Sequence, residues 1–182
     1  MSSLRPRLLR NAAAAAWRQR WNLDALAQEP LQLLTVKRSA SPSFMMVAEG
    51  RRDGLLPDRS APPEEEEVTL SAAELVAAMR SAAPPHHYFT CPVESLAPAL
   101  SESAAGWETI LESPPLPGRP PWLQMWAASA GSFTQAHYDV ADNYFVQCDG
   151  QKEFLLWPPS AADVLQARAA RSCRGVIIVP TI

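Results

Sequence analysis

Four short apolar runs follow one another late in the chain, at residues 122–128, 133–138, 144–149 and 152–157. Each is too short for a helix, and Gly, Ser, Asp or Pro residues separate them, which is the pattern of strands bounded by turns. Asp149-Gly150 lies between two of them and is a hairpin signal. Pro158-Pro159 stops the last run. Consecutive strands with such short connections are expected to lie antiparallel.

The chain before these runs has a different period. Residues 12–21 read as a helix with Asn11 as its N-cap, and residues 23–28 as a second helix capped by Asn22. Residues 71–82 form the clearest helix. Ser71 and Glu74 make a capping box, Leu75, Val76 and Met79 give an apolar face, and Pro84-Pro85 ends it. Residues 31–36, 44–47 and 88–91 read as strands and 93–105 as a further helix, while 113–121 is a proline-rich connector. Residues 50–67 are expected to be a loop whose acidic end, Glu64 to Glu67, is simply solvated. After the strands, Ser160 with Asp163 starts a helix to about residue 170, and 176–179 is strand-like. Helices first and short strands afterwards predict an α+β jelly roll.

The 182 residues suit one domain large enough to bury a core. A net charge of −3 argues against a strongly cationic nucleic-acid binder. There are 18 prolines, roughly twice the usual frequency of about 5%, so several connections should be long and stiff. Cys91, Cys148 and Cys173 are odd in number and far apart, which disfavours a disulfide framework or a cysteine-rich zinc site and suits reduced thiols. Arg5, Arg7, Arg10, Arg18 and Arg20 precede the first acid, Asp24, a composition shared by organelle transit peptides and by a structural helix that opens a domain. The expected location is cytoplasmic or nuclear, with organelle targeting as the alternative, and no apolar run is long enough to span a membrane.

The chemistry concentrates at His137-Tyr138-Asp139. Strand residues two apart share a face, so an imidazole and a carboxylate here would converge on one point. They are two of the three protein ligands in the 2-His-1-carboxylate triad that holds non-haem iron(II). Such a triplet also arises by chance, and its surroundings carry the reading. Thr134 precedes it and Asn143 follows. Gly150-Gln151-Lys152 makes a turn before the apolar residues 154–157 and the proline pair.

This succession resembles the JmjC hydroxylases of the cupin superfamily, including their asparaginyl-hydroxylase and tRNA wybutosine-hydroxylase branches. Weaker similarity lies upstream, at residues 5–21, at 68–79 and at Tyr88. The resemblance implies a double-stranded β-helix with flanking N-terminal helices. Residues 1–121 would be the N-terminal helical and strand region, and 122–182 the first part of the jelly-roll core. It implies an iron(II)- and 2-oxoglutarate-dependent dioxygenase with His137 and Asp139 as iron ligands. Lys152 and Thr134 would hold the distal carboxylate of 2-oxoglutarate, and Asn143 and Tyr88 would contact the cosubstrate or order the ligands. The expected partners are a protein side chain or a modified tRNA base as substrate, and a second copy of the chain as a homodimer.

The family takes its second histidine from a later strand, yet the only histidines are His86, His87 and His137. The reading therefore expects an incomplete barrel and an inactive, truncated chain. The alternative is a non-catalytic cupin-like binding module or a non-productive gene fragment. His86-His87, between two prolines and a strand, is read as structural. Trp17, Trp21, Trp107, Trp122, Trp126 and Trp157 are read as core, with Trp126 bordering the cosubstrate pocket.

Overall fold

The structure, a computed structural model, describes residues 6, 8, 12–28, 33–44, 65–96, 122–134, 137–139, 143–158, 168–170 and 175–180. In chain order the elements are α1 (Ala12–Arg20), α2 (Leu23–Ala27), β1 (Leu33–Ser39), β2 (Ser43–Phe44), β3 (Glu65–Ser71), α3 (Ala72–Met79), β4 (His86–Pro92) and a 3-10 turn at Val93–Ser95. There follow β5 (Trp122–Ala128), β6 (Phe133–Thr134), β7 (His137–Asp139), β8 (Asn143–Asp149), β9 (Arg168–Ala170) and β10 (Gly175–Pro180).

Six strands form the main sheet in the order β3-β1-β4-β5-β10-β8. It draws β1, β3 and β4 from the first part of the chain and β5, β8 and β10 from the second. Its first four strands are antiparallel neighbours. The two small sheets are β2-β6 and β7-β9. The class is α+β as expected, and the main sheet is open, with β3 and β8 as its edges among the described residues.

Local chemistry explains the helices. In α3 the Ser71 Oγ accepts from the Glu74 backbone N–H at 3.3 Å, and the Glu74 carboxylate accepts from the Ser71 N–H at 2.8 Å, so two otherwise orphaned donors are satisfied. These bonds hold the Glu74 carboxyl below its ordinary range, the backbone N–H contributing most. In α2 the Asn22 side chain caps the Ala25 N–H at 2.9 Å. Asn11, the expected cap of α1, lies outside the described residues.

Alternation along the strands then builds the core. Leu34 and Val36 of β1, Phe89 of β4, Leu123, Met125 and Ala127 of β5, and Val146 and Cys148 of β8 meet Leu75, Val76 and Met79 of α3. Trp17, Trp21, Leu23 and Leu26 from α1 and α2 complete the cluster, and the two tryptophan rings stack at 6.3 Å. The helices thus cover one face of the sheet. The Leu23 N–H donates to Asp149 Oδ2 at 2.9 Å, which ties the start of α2 to the end of β8.

Several expectations are corrected. The acidic run is a strand: Glu65 to Glu67 lie in β3, paired with β1. Lys37 Nζ reaches Glu65 Oε2 at 2.9 Å and Arg38 Nε reaches Glu66 Oε1 at 2.6 Å, while Val68 and Leu70 pack against the core. Opposite charges across the ladder and an apolar inner row hold this edge strand, and its charges discourage pairing with other chains.

The runs between residues 122 and 157 do not pair antiparallel with one another. β10 inserts between β5 and β8 and runs parallel to both, β6 runs parallel to β2, and β7 parallel to β9. Residues 152–157 are not a strand. After Gly150, whose φ of 65° suits glycine, the chain leaves the ladder and Phe154 packs its ring on Phe145 at 4.9 Å. The expected helix at 93–105 is a single 3-10 turn as far as Leu96, and the rest lies outside the described residues. The expected helix at 160–170 ends instead in β9, with 160–167 likewise outside.

Leu75 is fully buried where α3 meets the sheet. Leu75→Ala is expected to lower the free energy of unfolding by about 2–5 kcal/mol. Urea denaturation followed by tryptophan fluorescence checks this, and a shift below 1 kcal/mol would mean that the site collapses around the smaller side chain.

Candidate functional site

The helix-free face of the main sheet follows from register. Residues paired directly across strands share a face, so Lys37, Tyr88 and Ala128 lie together, and so do Thr90 and Trp126. Gln124 and Phe145 both pair with Ile177 and join this face. Gln124 Nε2 donates to Thr90 Oγ1 at 2.5 Å across it. All of these positions alternate with the core residues.

Phe44 attaches the small β2-β6 sheet to this face. Its ring stacks on Tyr88 at 5.2 Å, it is 1% exposed, and its register partner in β6 is Thr134. Tyr88 and Thr134, both expected to serve the cosubstrate, thus flank one phenylalanine. The Phe133 N–H donates to the Pro42 carbonyl at 3.0 Å and reinforces the join.

Lys152 lies over the same face. Its Nζ is 5.0 Å from the Phe154 ring centroid, 5.5 Å from Trp126 and 5.6 Å from Phe145. Trp126 and Phe145 meet edge to face at 6.1 Å. The expectation of a charged contact to a carboxylate did not foresee this aromatic seat. Trp126 was anticipated at the pocket. Phe145 and Phe154 were missed, although each falls in the apolar stretches beside the Gly150-Gln151-Lys152 turn.

His137 and Asp139 occupy the ends of β7, at alternate strand positions, with Arg168 and Ala170 of β9 as register partners. Their side chains, and that of Asn143, lie outside the described part of the structure. Among the described residues no three His, Cys, Asp or Glu side chains gather as a metal site.

His86 and His87 belong to β4 rather than preceding it, and both are buried. The His87 N–H donates to Ser129 Oγ at 2.9 Å, the Ser129 N–H donates back to the His87 carbonyl at 3.0 Å, and Ser129 Oγ donates to the Ala78 carbonyl at 3.1 Å. This network locks the start of β4 to the end of α3. Burial, and then the Arg38 charge, pull the His87 imidazole below its ordinary 6.5. Burial also pushes the Cys91 and Cys148 thiols up to about 12. Thiols so protonated are poor nucleophiles and poor metal ligands.

The molecule is thus a six-stranded open sheet with helices on one face and polar and aromatic side chains on the other. A family model described as a cupin-like domain matches residues 1–179. The chain belongs to that family. Neither a curated protein nor a solved structure matches it.

Two outcomes follow. Because the folded His87 binds a proton less readily than the unfolded one, unfolding takes up protons as the pH falls through about 6.5, and the fold loses stability there. Urea titrations between pH 7 and 5 should show this decline, and His87→Gln should flatten it; an unchanged slope would place the proton uptake elsewhere. Iodoacetamide at pH 8 should leave Cys91 and Cys148 largely unmodified in the folded protein and label both in urea, read by peptide mass spectrometry.

Proposed function

We propose that this chain carries the cosubstrate half of an iron(II)- and 2-oxoglutarate-dependent hydroxylase of the JmjC type. The observation that carries the proposal is that Tyr88 and Trp126, over which Lys152 lies, share the helix-free face of a cupin-like sheet, with Thr134 joined to Tyr88 through Phe44. A tyrosine hydroxyl, a threonine hydroxyl and an ammonium suit the distal carboxylate of a dicarboxylic acid. Lys152 would bring the charge, Thr134 and Tyr88 would orient the carboxylate, and Asn143 would order the metal ligands.

The donor set fits iron(II) in part. His137 and Asp139 are an imidazole and a carboxylate at alternate positions of β7, two of the three ligands a facial triad uses. Bound there with oxygen and 2-oxoglutarate, the metal would supply the oxidative decarboxylation that hydroxylates a C–H bond. The protein's part is to hold the dicarboxylate, shield the site from water and present the substrate. The substrate is a protein side chain or a modified tRNA base.

The sequence given has no histidine after His137, so it offers two donors where three are used. A second reading is a cupin-like module that binds without turnover.

Calorimetry tests the cosubstrate reading. Lys152→Ala should weaken 2-oxoglutarate binding by about ten- to a hundredfold, the loss of a charged hydrogen bond. Unchanged affinity would mean that another group holds the carboxylate. A second assay can exclude the module. With iron(II), ascorbate and 2-oxoglutarate under air, the chain as given should form succinate only at background rates. Robust formation that His137→Ala abolishes would overturn that expectation and exclude the module.

A further inference from the structure

We propose that β8 is the pairing edge of a symmetric dimer, in which two copies of this chain join their main sheets through antiparallel β8 strands and cover each other's apolar residues 154–157. The proposal does not depend on the oxygenase reading.

The two edges of the main sheet differ in chemistry. β3 carries Glu65, Glu66 and Glu67, whereas β8 carries one charged residue, Asp149, at its last position. Asp149 already accepts from the Leu23 N–H. Charged side chains, proline and shortness are what keep an edge strand from pairing with another chain. β8 is seven residues long, holds no proline or lysine, and is an edge among the described residues.

Its sequence is compatible with pairing to itself. An antiparallel pair centred on Val146 uses the whole strand. It sets Phe145 against the partner's Gln147, Tyr144 against the partner's Cys148 and Asn143 against the partner's Asp149, so no like charges meet. A twofold axis through Val146, normal to the sheet, keeps each face continuous. The helices of both copies then stay on one side and the aromatic side chains on the other. The joined sheet ends in β3 at both sides, and the glutamates there stop growth at two copies. A groove of about 510 Å³, lined by Arg18, Gln147 and residues 150–153, leaves room beside the end of β8 for the start of the partner strand.

The segment after the turn supplies the burial. Phe154, Leu155, Leu156 and Trp157 are 44%, 68%, 62% and 50% exposed. At that exposure four large side chains present on the order of 400 Å² of apolar surface, as much as the largest patch of a typical monomer. Phe154 rests on Phe145, so the patch adjoins β8 on the helix-free side. Two such patches and the strand edges between them reach roughly 1,000 Å², the lower bound of a specific interface. The dimer is accordingly expected at micromolar rather than nanomolar concentration.

Sedimentation velocity of the chain as given, from low to high micromolar concentration, should show monomer passing into dimer. Amide hydrogen exchange at the two ends of that range locates the contact: the protection gained should fall on alternate residues of β8 and on residues 154–157. Gln147→Lys places a cation on the paired edge and should weaken association about tenfold while leaving the circular dichroism unchanged. Leu155→Lys together with Leu156→Lys removes apolar contact outside any ladder and should weaken association at least as much. This second variant covers the case in which the strand variant is unfolded. A monomer throughout, protection gained elsewhere than β8, folded variants that associate like the wild type, or growth beyond two copies would each overturn the proposal.

Discussion

Burial of a single face of the main sheet governs the rest of the molecule. Leu34, Val36, Phe89, Met125 and Val146 point one way along their strands, and the helices must cover them because apolar burial is the largest favourable term available. Strand alternation then dictates that Lys37, Tyr88, Trp126 and Phe145 point the other way. No choice remains about where a site can form. The helix-covered face holds the core, and the opposite face collects whatever polar and aromatic side chains the alternate positions supply. Phe44 is an apolar clamp across that face, and through it β6 and Thr134 are brought to Tyr88.

Lys152 illustrates how magnitudes decide between two partners. A cation over aromatic rings at a partly exposed site gains about 0.5–1 kcal/mol per favourable contact. A charged hydrogen bond to a carboxylate is worth about 1.5–3 kcal/mol. A single carboxylate therefore competes with the aromatic contacts on comparable terms.

Elements specified by neighbouring residues were legible in the sequence. The Ser71–Glu74 capping box and the Asn22 cap act over three residues, and both are present. The α+β class and the open sheet were legible too. Features that depend on distant partners were not. The acidic run looked like a loop because its stabilising charges, Lys37 and Arg38, lie far away in sequence, although the alternation of Val68 and Leu70 was a signal of β3. The insertion of β10 between β5 and β8 is equally non-local. Residues 152–157 read as a strand by composition, but the chain leaves the ladder after Gly150 and Phe154 packs on Phe145 of β8. At the site, Lys152, Thr134 and Tyr88 could be singled out from the motif. Their relation through Phe44, Trp126 and Phe145 depended on register, which no short-range pattern encodes.

The central proposal is that the helix-free face is the working face and that β7 would hold a metal. Paramagnetic broadening measures this directly, with manganese(II) as the stand-in for iron(II), added together with 2-oxoglutarate to isotope-labelled protein. The account predicts that amide signals of residues 137–139 broaden first, followed by signals of the helix-free face, while those of α3 stay sharp, and that His137→Ala with Asp139→Ala abolishes the effect. Broadening centred on His86 and His87, or equal broadening of α3, would contradict it.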